Sequence, residues 1–168
     1  TVQMDLLRSY FTYVPGNHSS RYIGGDGKLA IADYDKDGLM DVLVHGAEFM
    51  FLTKNLGGTL STNNYLPNNF IESLGESAMK WGDVDLDGDL DIFWMGLKNS
   101  RGTITNKMLL NQSDFDGNIS WAFDNSIVMP DLRNGDIAWN DIDLDGDLDL
   151  LVSGQQITVE SGVTKLYL

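Results

Sequence analysis

Twelve aspartates recur at the same offsets in three short segments of a 168-residue chain. The segments are Asp33-Tyr34-Asp35-Lys36-Asp37-Gly38-Leu39-Met40-Asp41, Asp83-Val84-Asp85-Leu86-Asp87-Gly88-Asp89-Leu90-Asp91 and Asp141-Ile142-Asp143-Leu144-Asp145-Gly146-Asp147-Leu148-Asp149. Carboxylates at the first, third, fifth and ninth positions, with glycine at the sixth to permit a sharp turn, form the donor set of a hard cation. Calcium takes about six to eight oxygen ligands, and alternate side chains on a tightly curved backbone supply them from one short loop. The candidate ligands are Asp33, Asp35, Asp37 and Asp41 for one ion, Asp83, Asp85, Asp87 and Asp91 for a second, and Asp141, Asp143, Asp145 and Asp149 for a third. Four carboxylates within one loop repel one another unless neutralised, so the pattern points to structural calcium in about three sites. Magnesium favours a smaller octahedron that keeps its waters, and zinc favours Cys and His, which these loops lack.

The elements that hold such loops are legible on either side of them. An EF-hand would carry a bidentate Glu at position twelve and flanking helices. That position is Val44, Trp94 or Val152, each inside an apolar run rich in β-formers. Before the loops, Leu29 and Ile31, Met79 and Trp81, and Ile137 and Trp139 alternate with other residues at period two. Together these patterns predict a strand, an acidic turn and a more deeply buried strand. Glycine follows at Gly46, Gly96 and Gly154. A third strand is predicted at Phe49 to Asn55, Asn106 to Asn111 and Thr164 to Leu168, and a fourth at Asn69 to Ser73 and Ser120 to Asp124. Residues 6–14 read as a further strand, stopped by Pro15-Gly16. The first aspartates of successive loops lie 50 and 58 residues apart, a spacing that marks arrays or propeller blades of about four strands. The expected organisation is an all-β chain with an N-terminal strand and connection at 1–28 and repeats at 29–74, 75–128 and 129–168, the last incomplete.

Composition narrows the function classes. With 11 basic and 25 acidic residues, net charge −14, the chain offers no basic run to meet nucleic-acid phosphates or an anionic membrane. There is no Cys, hence no disulfide framework and no thiolate metal site. No apolar run approaches the roughly 18 residues that span a bilayer. Beginning at Thr1 without a leader, the chain reads as processed or as part of something longer. Asn17, Asn111 and Asn118 each begin an Asn-x-Ser sequon and are candidate glycosylation sites.

The three loops and the strands around them resemble the FG-GAP/VCBS repeats of integrin-α-like β-propellers. In that family Asp-x-Asp-x-Asp-Gly-x-x-Asp lies in the hairpin between the first two strands of each blade and binds calcium. The likeness covers nearly the whole chain and extends to Asn55 and Asn111 in the third strands. It does not extend to the Phe-Gly and Gly-Ala-Pro signatures that name the family. The resemblance implies blades of four antiparallel strands. Family propellers close with about seven blades, within the usual range of the architecture. Three repeats are visible here, so closure would come from the N-terminal strand or from another subunit through strand pairing.

No catalytic constellation is evident. His18 and His45 lie apart from any nucleophile motif, and His45 aligns with Met95 and Ser153 as a structural residue. Trp81 and Trp139 share one repeat position, which suits blade packing, whereas Trp94 and Trp121 are candidates for a solvent-facing role. Asp114-Phe115-Asp116-Gly117-Asn118 reads as a turn. The expected function is a non-enzymatic, calcium-stabilised module of a secreted or cell-surface protein, acting in adhesion or as a building block of an extracellular assembly. The alternatives are a carbohydrate-binding module, suggested by the tryptophans, and a propeller-type polysaccharide lyase, which would need a basic or general-base cluster.

Overall fold

In the computed structural model the described residues are 28–46, 49–67, 74–98, 103–114, 116–156 and 161–168. They form antiparallel strands and, among the described residues, no helix. The predicted N-terminal strand at 6–14 and the fourth strand at Asn69 to Ser73 lie outside the described residues. The chain divides into two compact units, Thr1–Ser73 and Leu74–Leu168.

The first unit carries a meander of β1 (Lys28–Ala32), β2 (Asp41–Gly46) and β3 (Phe49–Thr53), with β2 in the middle. The first acidic loop joins β1 to β2. Val42, Leu43 and Val44 are buried on both faces of β2, as their unbroken apolar run requires. Leu29 and Ile31 keep their alternation but face outward, each 64% exposed. After β3 the chain doubles back. Ser61 N–H bonds the Lys54 carbonyl at 2.8 Å, and Tyr65 N–H bonds the Leu52 carbonyl at 3.0 Å.

The second unit holds two sheets. One is the four-stranded meander β4 (Gly75–Gly82), β5 (Asp91–Leu97), β6 (Ile104–Ser113) and β7 (Ile119–Asp124). The other is β8 (Leu132–Asn140), β9 (Asp149–Gln156) and β10 (Ser161–Tyr167), again with the middle strand central. Period-two alternation gives each sheet an apolar face, and the two faces meet. Phe93, Met95 and Met108 from the first sheet pack with Ile137, Leu150 and Val152 from the second in one buried cluster. The Trp139 ring stands edge-on to Phe93 with centroids 6.1 Å apart. It also lies against Gly82, where a Cβ would come within 3.1 Å of the indole. Trp139 thus has the packing role expected of it. Trp94, expected at the solvent, is instead fully buried and tilted against Phe123 at 6.2 Å, because its strand is covered on both faces. Trp121 is half-buried.

The two sheets share an irregularity that the sequence pattern does not announce. Register slips between Gly75 and Ala78 in β4 and at the equivalent place, between Arg133 and Asp136, in β8. Glu76 and Asn134 take left-handed φ values of 48° and 49° at these β-bulges. A glycine near the end of the second strand makes room for each bulge. A Cβ on Gly96 would lie 2.9 Å from the Gly75 carbonyl oxygen, and one on Gly154 would lie 3.0 Å from that of Arg133. Arg133 also pairs with Glu76 at 3.2 Å, joining one bulge to the other.

Since Phe93 lies at the centre of the sheet-to-sheet cluster, Phe93→Ala leaves a cavity that neighbouring strands cannot fill. The expected cost is about 3–5 kcal/mol in urea denaturation, with the secondary structure retained in the folded baseline.

Candidate metal centres

Each acidic loop is bent by two left-handed residues flanking its fifth position. The fourth residue has φ of 59° at Lys36, 59° at Leu86 and 64° at Leu144, and the sixth is Gly38, Gly88 or Gly146 at 87°, 90° and 103°. For a residue with a side chain this conformation costs about 1–2 kcal/mol, so three repetitions of it mark a geometry that the loop requires. The bend is held from inside. One oxygen of the first aspartate accepts the N–H of the loop glycine, at 2.9 Å for Asp33 and Gly38, 3.1 Å for Asp83 and Gly88, and 3.2 Å for Asp141 and Gly146. The third-position carboxylates accept the N–H of the fifth residue, as from Asp37 to Asp35 and from Asp145 to Asp143, both at 3.3 Å.

In the first loop both oxygens of Asp33 are engaged, since Oδ1 also accepts the Asp37 N–H at 3.0 Å, whereas Asp83 and Asp141 use Oδ2 alone. Three groups result, within each of which the ligand oxygens lie within 4.8 Å of one another: Asp33, Asp35 and Asp37; Asp83, Asp85 and Asp91; and Asp141, Asp143 and Asp149. The donor set fits a hard cation. Asp83 Oδ1, Asp141 Oδ1 and Asp149 Oδ1 are buried and receive no hydrogen bond. A buried anionic oxygen without a donor is costly, and a divalent ion at the centre of the group would satisfy it.

Three of the twelve sequence-predicted ligands fall outside these groups. Asp87 Oδ1 accepts the Asp89 N–H at 2.8 Å and Asp145 Oδ1 the Asp147 N–H at 3.3 Å, a bond that Asp37 Oδ1, within its group, makes with the Leu39 N–H at 2.8 Å. Asp41 is fully buried and divides its oxygens between the Tyr34 N–H, at 3.3 Å, and the Asn55 N–H, at 2.7 Å. Its counterpart Asp91 does the same with Val84 at 2.9 Å and Asn111 at 2.8 Å. Asp149 accepts from Ile142 at 2.6 Å. The ninth aspartate, first residue of the second strand, thus holds the loop and, in the first two repeats, also Asn55 just beyond β3 and Asn111 on β6. The Asn55 and Asn111 positions noted in the sequence bond the aspartate through their backbone N–H groups, and Asn55 Nδ2 also donates to the Met40 carbonyl at 3.1 Å.

Sequence reasoning missed one contributor. Lys54 sits between the carboxylates of Asp35 and Asp37, with Nζ 3.0 Å from Asp37 Oδ2 and a hydrogen bond to Asp35. Its ammonium holds the Asp37 carboxyl below the usual carboxylate range, with help from the Leu39 N–H. The equivalent residue of the second repeat is Leu110, so the second loop has no countercharge at this position. Elsewhere the balance runs the other way. Burial pushes the Asp91 carboxyl up to about 6, against the two N–H groups that bond it. Burial likewise raises Asp41, Asp85 and Asp143, with neighbouring aspartates adding to the effect.

The remaining candidates separate cleanly. His45 is buried, as a structural residue should be. Asp114 to Asn118 is the expected turn: Asp114 Oδ1 accepts from Asp116 at 3.0 Å and from Asn118 at 2.8 Å. Asn118 is exposed, whereas Asn111 is fully buried on β6 and its amide is out of reach of a glycan in the folded protein. Asn17 lies outside the described residues. A scan against models of known protein families finds no match, and a search of curated proteins finds no relative.

Without a cation, the raised carboxyls bind protons more tightly folded than unfolded, so stability falls as pH rises through about 6. The lowered Asp37 and Asp114 add stability that is lost only in stronger acid, outside that window. Thermal melts in chelator therefore give a higher midpoint at about pH 5.5 than at about pH 7.5. A midpoint that rises steadily from the lower to the higher pH would contradict this assignment.

Proposed function

We propose that the chain is a calcium-stabilised β-propeller-type module of the FG-GAP/VCBS kind, non-enzymatic, and active in adhesion or as a building block of an extracellular assembly. The observation that carries this reading is the threefold recurrence of one loop geometry, with left-handed fourth and sixth residues and converging carboxylates. Asp33, Asp35 and Asp37, Asp83, Asp85 and Asp91, and Asp141, Asp143 and Asp149 would hold the ions. Bound calcium would supply charge neutralisation at each hairpin and hence rigidity. Extracellular calcium suits such sites, because modules that work outside cells bind at about 10⁻⁴ to 10⁻³ M. Among the described residues no helix is long and apolar enough to cross a membrane. A sugar-stacking role for Trp139 is disfavoured by its packing against Gly82 and Phe93.

Saturating calcium stabilises the folded state by about 2.7 kcal/mol per site at a hundredfold excess over Kd. Three sites raise the melting midpoint by roughly 15 °C or more, and magnesium at equal concentration raises it less. An identical midpoint in calcium and in chelator would remove the metal from this reading. The sites also differ. Lys54→Leu, which copies the second repeat, removes the competing ammonium and tightens calcium at the first loop roughly fivefold, about 1 kcal/mol. Isothermal titration of this variant beside the parent chain measures the change, and unaltered affinities would show that Lys54 does not compete with the ion.

A further inference from the structure

The second and third acidic loops open from the same end of the unit Leu74–Leu168. Gly82 closes β4 with its backbone against the Trp139 ring of β8, and the loops start just beyond, at Asp83 and at Asp141. Val84, inside the second loop, packs against the buried cluster that the two sheets share. Past that point both loops turn outward, and each carries a leucine at its fourth position, Leu86 in one and Leu144 in the other.

Neither leucine serves the backbone or the core. Their φ values of 59° and 64° are left-handed, a conformation that Gly and Asn adopt readily and that other side chains resist. Burial does not offset that resistance, since Leu86 is 55% and Leu144 84% exposed. Ile142, two residues before Leu144, is 48% exposed. In the first loop the same position holds the exposed Lys36, so the loop geometry does not call for an apolar residue. An exposed leucine is ordinary taken singly; one set twice in an unfavourable conformation, on loops opening side by side, marks a surface kept for a partner.

The surroundings identify that partner. The two loops contain ten aspartates and no Lys, Arg or His, so a divalent ion in each leaves them strongly negative. Asp85, Asp87, Asp143, Asp145 and Asp147, the residues flanking the leucines, are exposed. An apolar contact ringed by carboxylates repels an anionic lipid surface and attracts apolar side chains accompanied by Lys and Arg.

We infer that Leu86, Ile142 and Leu144 form a docking surface for a basic, amphipathic protein segment, whose apolar side chains meet theirs while its Lys and Arg meet the flanking carboxylates. This names the chemistry of a partner for the module proposed above, and rests on that reading only for the ions, which lower the charge of the loops without reversing it.

The test uses the full chain in calcium and two synthetic probes, an amphipathic Leu/Lys peptide and a Ser/Lys peptide of equal length and charge, with affinities from fluorescence anisotropy. The parent chain binds the Leu/Lys peptide more tightly by roughly tenfold. Leu86→Asn combined with Leu144→Asn abolishes that preference without changing the charge, and leaves the Ser/Lys affinity as it was. Because Asn suits a left-handed φ, the double variant melts no lower than the parent. Ile142→Thr, away from the left-handed positions, weakens the Leu/Lys peptide by roughly threefold and decides the matter if the double variant does not fold. Equal affinity of the parent for both peptides, or variants that keep its preference, would overturn the inference. So would a folded double variant that melts well below the parent, since the leucines would then serve the fold. Binding of the parent to phosphatidylcholine vesicles but not to the Leu/Lys peptide overturns it in favour of a lipid surface. Melting in calcium and in chelator judges the metal reading separately: an unchanged midpoint removes the ions and leaves the peptide comparison standing.

Discussion

The structure depends on mutual repulsion among carboxylates held together by their own backbone. Each acidic loop could relieve that repulsion by opening, yet the glycine N–H groups, the left-handed fourth residue and the buried ninth aspartate oppose it. Asp91 shows the conflict most plainly, because the hydrogen bonds from Val84 and Asn111 that fix it also keep it away from water. A hairpin built this way stores electrostatic cost at one end and recovers stability from apolar burial along its strands. The buried strand after each loop supplies that burial. Loop and strand are two parts of one device, which accounts for their appearing together three times.

Much of this device is legible in the residues themselves. The alternation in β4 and β8, the apolar runs of β5 and β9, and the Asp and Gly offsets all act locally, so their pattern survives in the linear order. Even the glycine near the end of the second strand could be seen. Its reason could not, because the bulge that it accommodates belongs to a different strand and is made by different residues in the two sheets, Glu76-Ser77 in one and Asn134-Gly135 in the other. Trp94 shows a second limit. Whether a strand is covered on one face or two depends on what packs against the sheet, and the strand's own residues do not say.

The site was legible in its donors but not in its division of labour. Twelve aspartates can be counted, yet which of them converge depends on how the folded loop aims each carboxylate. Asp87 and Asp145 stand outside the converging groups, whereas Asp83, Asp85, Asp141 and Asp143 lie within them. In the first loop an ammonium arrives from 19 residues away. A long-range partner on a neighbouring strand carries no motif. Its only trace is a Lys where the second repeat has Leu, meaningful once the strands are in register.

Lys54 also bears on the order in which the chain takes shape. Synthesis runs from the N-terminus, and domains fold largely as they emerge. The hairpin with a built-in ammonium is the earliest of the three to be made, and it can close where free calcium is scarce. The two later hairpins have no such substitute at the Lys54 position. A nascent chain would thus gain one ordered sheet at its first loop without waiting for a cation there.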